Sequence, residues 1–190
     1  MQNVGTDEQK RRITLLSNVN MSSVGRRLSR EAQVHQPSGY GNELGAMMNP
    51  GSDYNQFDPE ITFLIMDLAE LAEHEFEKDA VESHVEQWYA TFAEAVRPDR
   101  IYYVSDVYLW TPELETADLM VDRVALEHLW TQRLGDLCEK FPNVRKFPYR
   151  RMITQLGEEN AFSMKMWYMG KILLSNEAQK RLAELILKYV

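Results

Sequence analysis

Ile61-Thr62-Phe63-Leu64-Ile65-Met66 is the most decisive stretch of the chain. The run is apolar nearly throughout, far too short to span a membrane, and without the in-out alternation of a half-solvated strand. It therefore predicts a strand covered on both faces, the hallmark of a parallel sheet between two helical layers. Ile13-Thr14-Leu15-Leu16 and Ile101-Tyr102-Tyr103-Val104 repeat the pattern, and Val144 to Phe147 repeats it more weakly. Longer amphipathic runs lie between them. Ser22 or Ser23 can cap a helix whose apolar side is Val24, Leu28 and Ala32, which places His35 at the end of that helix. A helix over 79–96 carries Val81, Val85, Trp88, Phe92 and Val96 at helical steps, closed by Pro98. A helix over 117–139 presents Leu126, Trp130, Leu134, Leu137 and Phe141. Ser175 caps a last helix that buries Ala178, Leu182, Leu185, Ile186 and Tyr189.

The order β-α-(β)-β-α-β-α-β-α predicts a three-layer α/β/α fold, flavodoxin-like, with a doubly wound parallel sheet of about five strands. The bracketed strand is expected inside the Gly-, Asn- and Pro-rich stretch 37–59, which is long for a simple connection and reads either as a hidden strand or as an ordered functional loop. A single domain over 12–190 is expected, preceded by a flexible tail over 1–11.

Composition narrows the function classes. The 190 residues are 44% hydrophobic and 26% charged, which is globular. With 21 Lys+Arg against 29 Asp+Glu the net charge is −8, so nucleic acid or an anionic membrane would have to be met by a local basic patch. The single cysteine, Cys138, excludes an intrachain disulfide and a Cys-built metal site. The polar N-terminal residues lack the apolar core of a signal peptide. A soluble, cytoplasmic protein is expected.

In doubly wound folds ligands sit at the carboxyl ends of the strands. That edge is expected to gather Ser17, Asn18 and Asn20 after the first strand, Asp67 after the Ile61 strand, and Ser105 and Asp106 after the Ile101 strand. The same residue types also end strands and cap helices. Ser17 is the candidate nucleophile, and a serine needs a base in hydrogen-bond reach. Of His35, His74, His84 and His128, His74 alone follows a strand closely enough to be a weak candidate base. No G-x-G-x-x-G or Walker-type loop and no metal-ligand spacing is present, so neither cofactor nor metal is expected. The acidic run over 70–79 reads as a solvated loop and helix start. Trp167, in the segment Lys165 to Lys171, either lines a groove for a ligand or carrier protein or plugs the end of the sheet.

Four blocks in order carry a family resemblance. They are Ile13 to Asn20; Gly39-Tyr40-Gly41-Asn42-Glu43 through Asn49-Pro50-Gly51-Ser52; Phe57 to Asp67; and Met166 to Glu177. Together they resemble the SGNH-hydrolase-like N-terminal domain of FkbH-like proteins. The resemblance implies an SGNH-like fold that precedes a haloacid-dehalogenase-type domain, which loads a glyceryl or related acyl unit onto an acyl carrier protein in polyketide, antibiotic or surface-polysaccharide pathways. Ser17 then holds the nucleophile position, and Gly41, Asn42 and Asp67 lie where oxyanion-hole contributors are sought. Two features depart from the pattern. The Asp-x-Asp-x-Thr signature of the second domain is absent, and so is the Asp-x-x-His block, since no histidine follows His128. The expectation is an accessory or recognition domain without a complete triad, whose partner is a carrier protein or a haloacid-dehalogenase-type domain. The alternative is a weak esterase using Ser17; a plain oligomerising module is a third.

Overall fold

The computed structural model describes residues 10–19, 21–37, 43–66, 78–108, 123–163 and 174–190. Five strands, β1 (Arg12–Ser17), β2 (Gln33–His35), β3 (Ile61–Ile65), β4 (Ile101–Ser105) and β5 (Val144–Phe147), form one sheet. Their order is β2-β1-β3-β4-β5 and every pairing is parallel. The helices are α1 (Ser22–Leu28), α2 (Glu43–Met48), α3 (Asp53–Phe57), α4 (Lys78–Ala95), α5 (Arg123–Lys140), α6 (Tyr149–Leu156), α7 (Glu158–Ala161) and α8 (Asn176–Ile186). This is the flavodoxin-like doubly wound α/β/α arrangement that the strand pattern predicts.

Strand pleating divides the core in two. Ile13, Leu15, Phe63, Ile65, Tyr103 and Phe147 face α1, α6 and α8. Leu16, Leu64, Tyr102, Val104 and Val144 face the other way, against α4, α5 and the α2–α3 pair. Every residue of β3 is buried, because β3 is central and both its faces are covered. Trp130 of α5 anchors the second half: its ring packs against Trp88 and Tyr89, and Nε1 donates to the Ser105 carbonyl at 2.9 Å.

Three expectations are corrected. The first helix stops at Leu28, and Ala32 buries itself from the turn beyond it, so the four-residue step from Leu28 to Ala32 is not helical. His35 consequently ends a strand, not a helix: Gln33 to His35 pair with Arg12 to Thr14, and Val34 packs on the core. The extra strand is therefore β2 and not a segment of 37–59, whose described part forms α2 and α3, with the Ser52 hydroxyl capping α3 through Asn55 N–H. The third is α6, absent from the expected order although Tyr149, Met152, Ile153 and Leu156 fall at i, i+3, i+4 and i+7. Its exposed arginines and brevity hid it. The helix expected over 117–139 is α5, and the part of that expectation before residue 123 lies outside the described residues. Ser175 caps α8, its hydroxyl accepting from Ala178 N–H at 3.1 Å. At the chain's start, the Arg11 carbonyl accepts from Gln33 N–H at 2.9 Å. No helix among the described residues is long and apolar enough to cross a membrane.

Candidate functional site

From β1 the chain crosses to β2 on one side and to β3 on the other, so the carboxyl end of β1 is the topological switch point, the place where such sheets open a crevice. Ser17 is the last residue of β1 and lies in register with Ile65. Its hydroxyl is committed in both directions. Oγ donates to the Ile65 carbonyl at 2.6 Å and accepts from Val19 N–H at 2.9 Å. The first bond pins β1 to β3 at their exits, and the second is a serine turn that reverses the chain toward α1. A carbonyl oxygen accepts a hydrogen bond but does not take the proton, so neither partner activates the oxygen. Asn18 is buried beside it. Asn20, Gly41, Asn42, Asp67, His74 and Trp167 lie outside the described residues.

The described histidines are elsewhere. His35 pairs with Thr14, three residues before Ser17, which is about 10 Å back along the strand. Its Nδ1 is 3.4 Å from Thr14 Oγ1, and its ring stacks on Phe57 at 5.2 Å. Burial lowers its pKa, against a smaller upward pull from Asp53. His84 and His128 are exposed on α4 and α5. None of the three hydrogen-bonds Ser17, whose Oγ meets the Ile65 carbonyl and Val19 N–H.

Ser105 and Asp106 continue the edge toward β5. Ser105 is fully buried, and its Oγ accepts from Met66 N–H at 2.9 Å, fixing the exit of β3. Asp106 N–H donates to the Phe147 carbonyl at 3.1 Å, while its Oδ1 accepts from Arg150 N–H at 2.5 Å in the first turn of α6. Burial pushes the Asp106 carboxyl above the usual carboxylate range. The Arg150 and Tyr149 backbone N–H groups and the Arg150 charge oppose the shift, and Glu127 adds to it. Sequence reasoning missed two residues here. Glu127, 2% exposed on α5, accepts from Arg150 at 2.8 Å, so β4, α5 and α6 meet in one charged knot. The available signal was a carboxylate adjoining the Leu126–Trp130 apolar stripe.

The structure brings Ser17, Asn18, Ser105 and Asp106 to one edge, and three of them hydrogen-bond backbone groups of neighbouring elements. Among the described residues no group of three His, Cys, Asp or Glu side chains could hold a metal ion.

No protein-family model matches the chain, and no curated protein does. Solved structures do. The N-terminal part of BF1531 from Bacteroides fragilis, containing a phosphatase domain complexed with Mg, aligns over 92% of this chain with TM-score 0.72 and 14% identity. This chain spans 50% of that structure's length. A GDSL-like lipase, BT0569 from Bacteroides thetaiotaomicron, aligns over 97% of this chain and 89% of its own at TM-score 0.56 and 10% identity. BF3764 from Bacteroides fragilis, assigned as an acylhydrolase, aligns over 96% of this chain and 87% of its own at TM-score 0.55 and 11% identity. The fold is that of SGNH/GDSL-like hydrolases. At these identities the likeness speaks for the fold.

Proposed function

We propose that this domain is an SGNH-like recognition module that does not hydrolyse esters, and that it serves an FkbH-like system handling an acyl or glyceryl unit on a carrier protein in the cytoplasm. The observation that carries it is the bonding of Ser17. A nucleophile in this fold offers its hydroxyl to a base and its oxygen to the substrate. Here the proton is directed at the Ile65 carbonyl and a lone pair at Val19 N–H. The BF1531 likeness supports the wider setting: half of that structure's length superposes on this chain, and that structure contains a phosphatase domain. Phosphoryl and glyceryl chemistry would belong to such a partner domain, since the Asp-x-Asp-x-Thr signature is not in this sequence.

The test is turnover of a short p-nitrophenyl ester by the purified chain and by Ser17→Ala. Equal rates, no greater than those of a non-enzymic control protein, are expected. A second function has one observation in its favour: Ser17 stands at the switch point of a fold shared with lipase-type proteins. A weak esterase would lose its turnover in Ser17→Ala and titrate near the histidine pKa.

A further inference from the structure

Residues 10–37 hold six of the chain's 21 lysines and arginines but one of its 29 carboxylates, Glu31, so the sign of the net charge, −8, is reversed locally. The fold gathers these cations. α1 runs from the carboxyl edge of the sheet back to the amino edge. Its last turn presents Arg26 and Arg27, and Arg30 follows in the turn to β2; all three are exposed. Lys10, just before β1, donates to the Arg30 carbonyl at 2.6 Å and so brings the start of β1 against the end of α1. Arg11 beside it is exposed, and its carbonyl accepts from Gln33 N–H at 2.9 Å. Lys10, Arg11, Arg26, Arg27 and Arg30 thus share one corner at the amino edge, opposite Ser17. Among the described residues none of the five has an ion-pair partner. The carboxylates next along that edge are occupied: Asp58 is held by Arg12 at 3.3 Å and Arg100 at 3.1 Å, and Glu60 lies 3.9 Å from Arg12.

The negative end of the α1 dipole favours cations and accounts for Arg26 and Arg27. Lys10, Arg11 and Arg30 stand outside the helix, and five exposed like charges on one corner repel one another until an anionic surface meets them. Four of the five are arginines, whose planar forks match phosphate oxygens. Nucleic acid is the poorer fit. Residues 10–37 include no Phe, Tyr or Trp on which a base could stack. α1 is seven residues long with Val24, Gly25 and Leu28 buried, so it lies flat on the sheet and cannot enter a major groove.

We infer that this corner seats the protein on an anionic phospholipid bilayer, with the carboxyl edge and Ser17 turned toward water. The contact is electrostatic adsorption without insertion, because none of the five cations has an exposed large apolar neighbour among residues 10–37. The bilayer's field decays within about 8 Å at physiological ionic strength, so it acts on this corner far more than on the acidic remainder of the molecule. The docking goes beyond the recognition role proposed above and is independent of what Ser17 does.

The experiment is co-sedimentation of the purified chain with vesicles of phosphatidylcholine alone and of equal parts phosphatidylcholine and phosphatidylglycerol, at low and high salt. The wild type is compared with the triple variant Arg26→Gln, Arg27→Gln, Arg30→Gln. A control of the same net charge replaces three exposed cations elsewhere: Lys140→Gln, Arg151→Gln, Lys180→Gln. Thermal melts establish that each protein is folded. The wild type should sediment with the anionic vesicles at low salt, ignore the neutral ones and be released at high salt. Each cation near an anionic surface raises partitioning by about fivefold, so the patch variant should lose about 100-fold and the control less than about threefold. Equal losses in the two variants overturn the patch in favour of net charge. A wild type that ignores the anionic vesicles at low salt overturns the docking outright. A wild type that holds a short DNA duplex at a salt concentration that releases it from the vesicles overturns the inference in favour of nucleic acid.

Discussion

Ser17 Oγ joins two backbone groups that belong to different elements, the Ile65 carbonyl at the end of β3 and the Val19 N–H of the loop after β1. Ser17→Ala removes both bonds and leaves a half-buried carbonyl short of a donor. The expected cost is about 1–2 kcal/mol, read by urea denaturation, with no change in ester turnover. Arg100 is the counterpart at the opposite edge. Its guanidinium is 3% exposed, lies over the Tyr54 ring at 5.0 Å, and donates to Asn55 Oδ1 and Asp58 Oδ1, each at 3.1 Å. Asp58 itself is held at φ 54°, a left-handed conformation stabilised as the C-cap of α3. Arg100→Met keeps the apolar volume but removes both bonds; Asp58 is half exposed and keeps Arg12 at 3.3 Å, so the loss falls mainly on Asn55 Oδ1. A loss of about 1–2 kcal/mol is expected in the same denaturation series.

Elements are joined at the carboxyl edge by Asp106, whose carboxylate caps the first turn of α6 while its N–H donates to the Phe147 carbonyl at the end of β5. Burial holds the Asp106 proton more tightly in the folded protein than in the unfolded chain. The group therefore contributes stability at pH values below the unfolded carboxylate range, and that contribution is lost as pH rises through the folded pKa. Asp106→Asn keeps an acceptor for Arg150 N–H and removes the buried charge. Its Tm relative to wild type should rise between about pH 4 and pH 7; a gap that shrinks over that range contradicts the burial-dominated shift. At the start of α8, Ser175 caps Ala178 N–H and also donates to the Asn160 carbonyl, tying α8 to α7. Ser175→Ala should cost about 1–2 kcal/mol in thermal melts. These caps show what the sequence discloses at this scale. Ser175 was legible because a hydroxyl stands directly before an apolar-periodic run. Asp106 was legible only as a polar strand end, since its work depends on α6, and α6 was overlooked beneath Arg150 and Arg151.

Across the whole molecule, the layers were readable because burial on both faces leaves an unmistakable apolar run, as in β3, and because Trp130 and its neighbours keep helical spacing through a long segment. The strand order was not readable beyond its class. β2 is three residues long and owes its place to pairing with Arg12 to Thr14, a contact distant in sequence. The candidate edge was readable as a location, since strand exits follow from strand positions. What each side chain does there was not. Whether a serine is a nucleophile or a pin depends on which groups its hydroxyl meets, and for Ser17 those come from a strand forty-eight residues away and a turn two residues on. The central claim is that Ser17 is a structural pin in an SGNH-like scaffold. Labelling with a fluorophosphonate probe, read by intact mass beside Ser17→Ala, tests it most directly. The folded wild type should gain no probe mass under conditions that fully label a serine esterase. A single adduct that vanishes in Ser17→Ala would contradict the claim and establish an activated nucleophile.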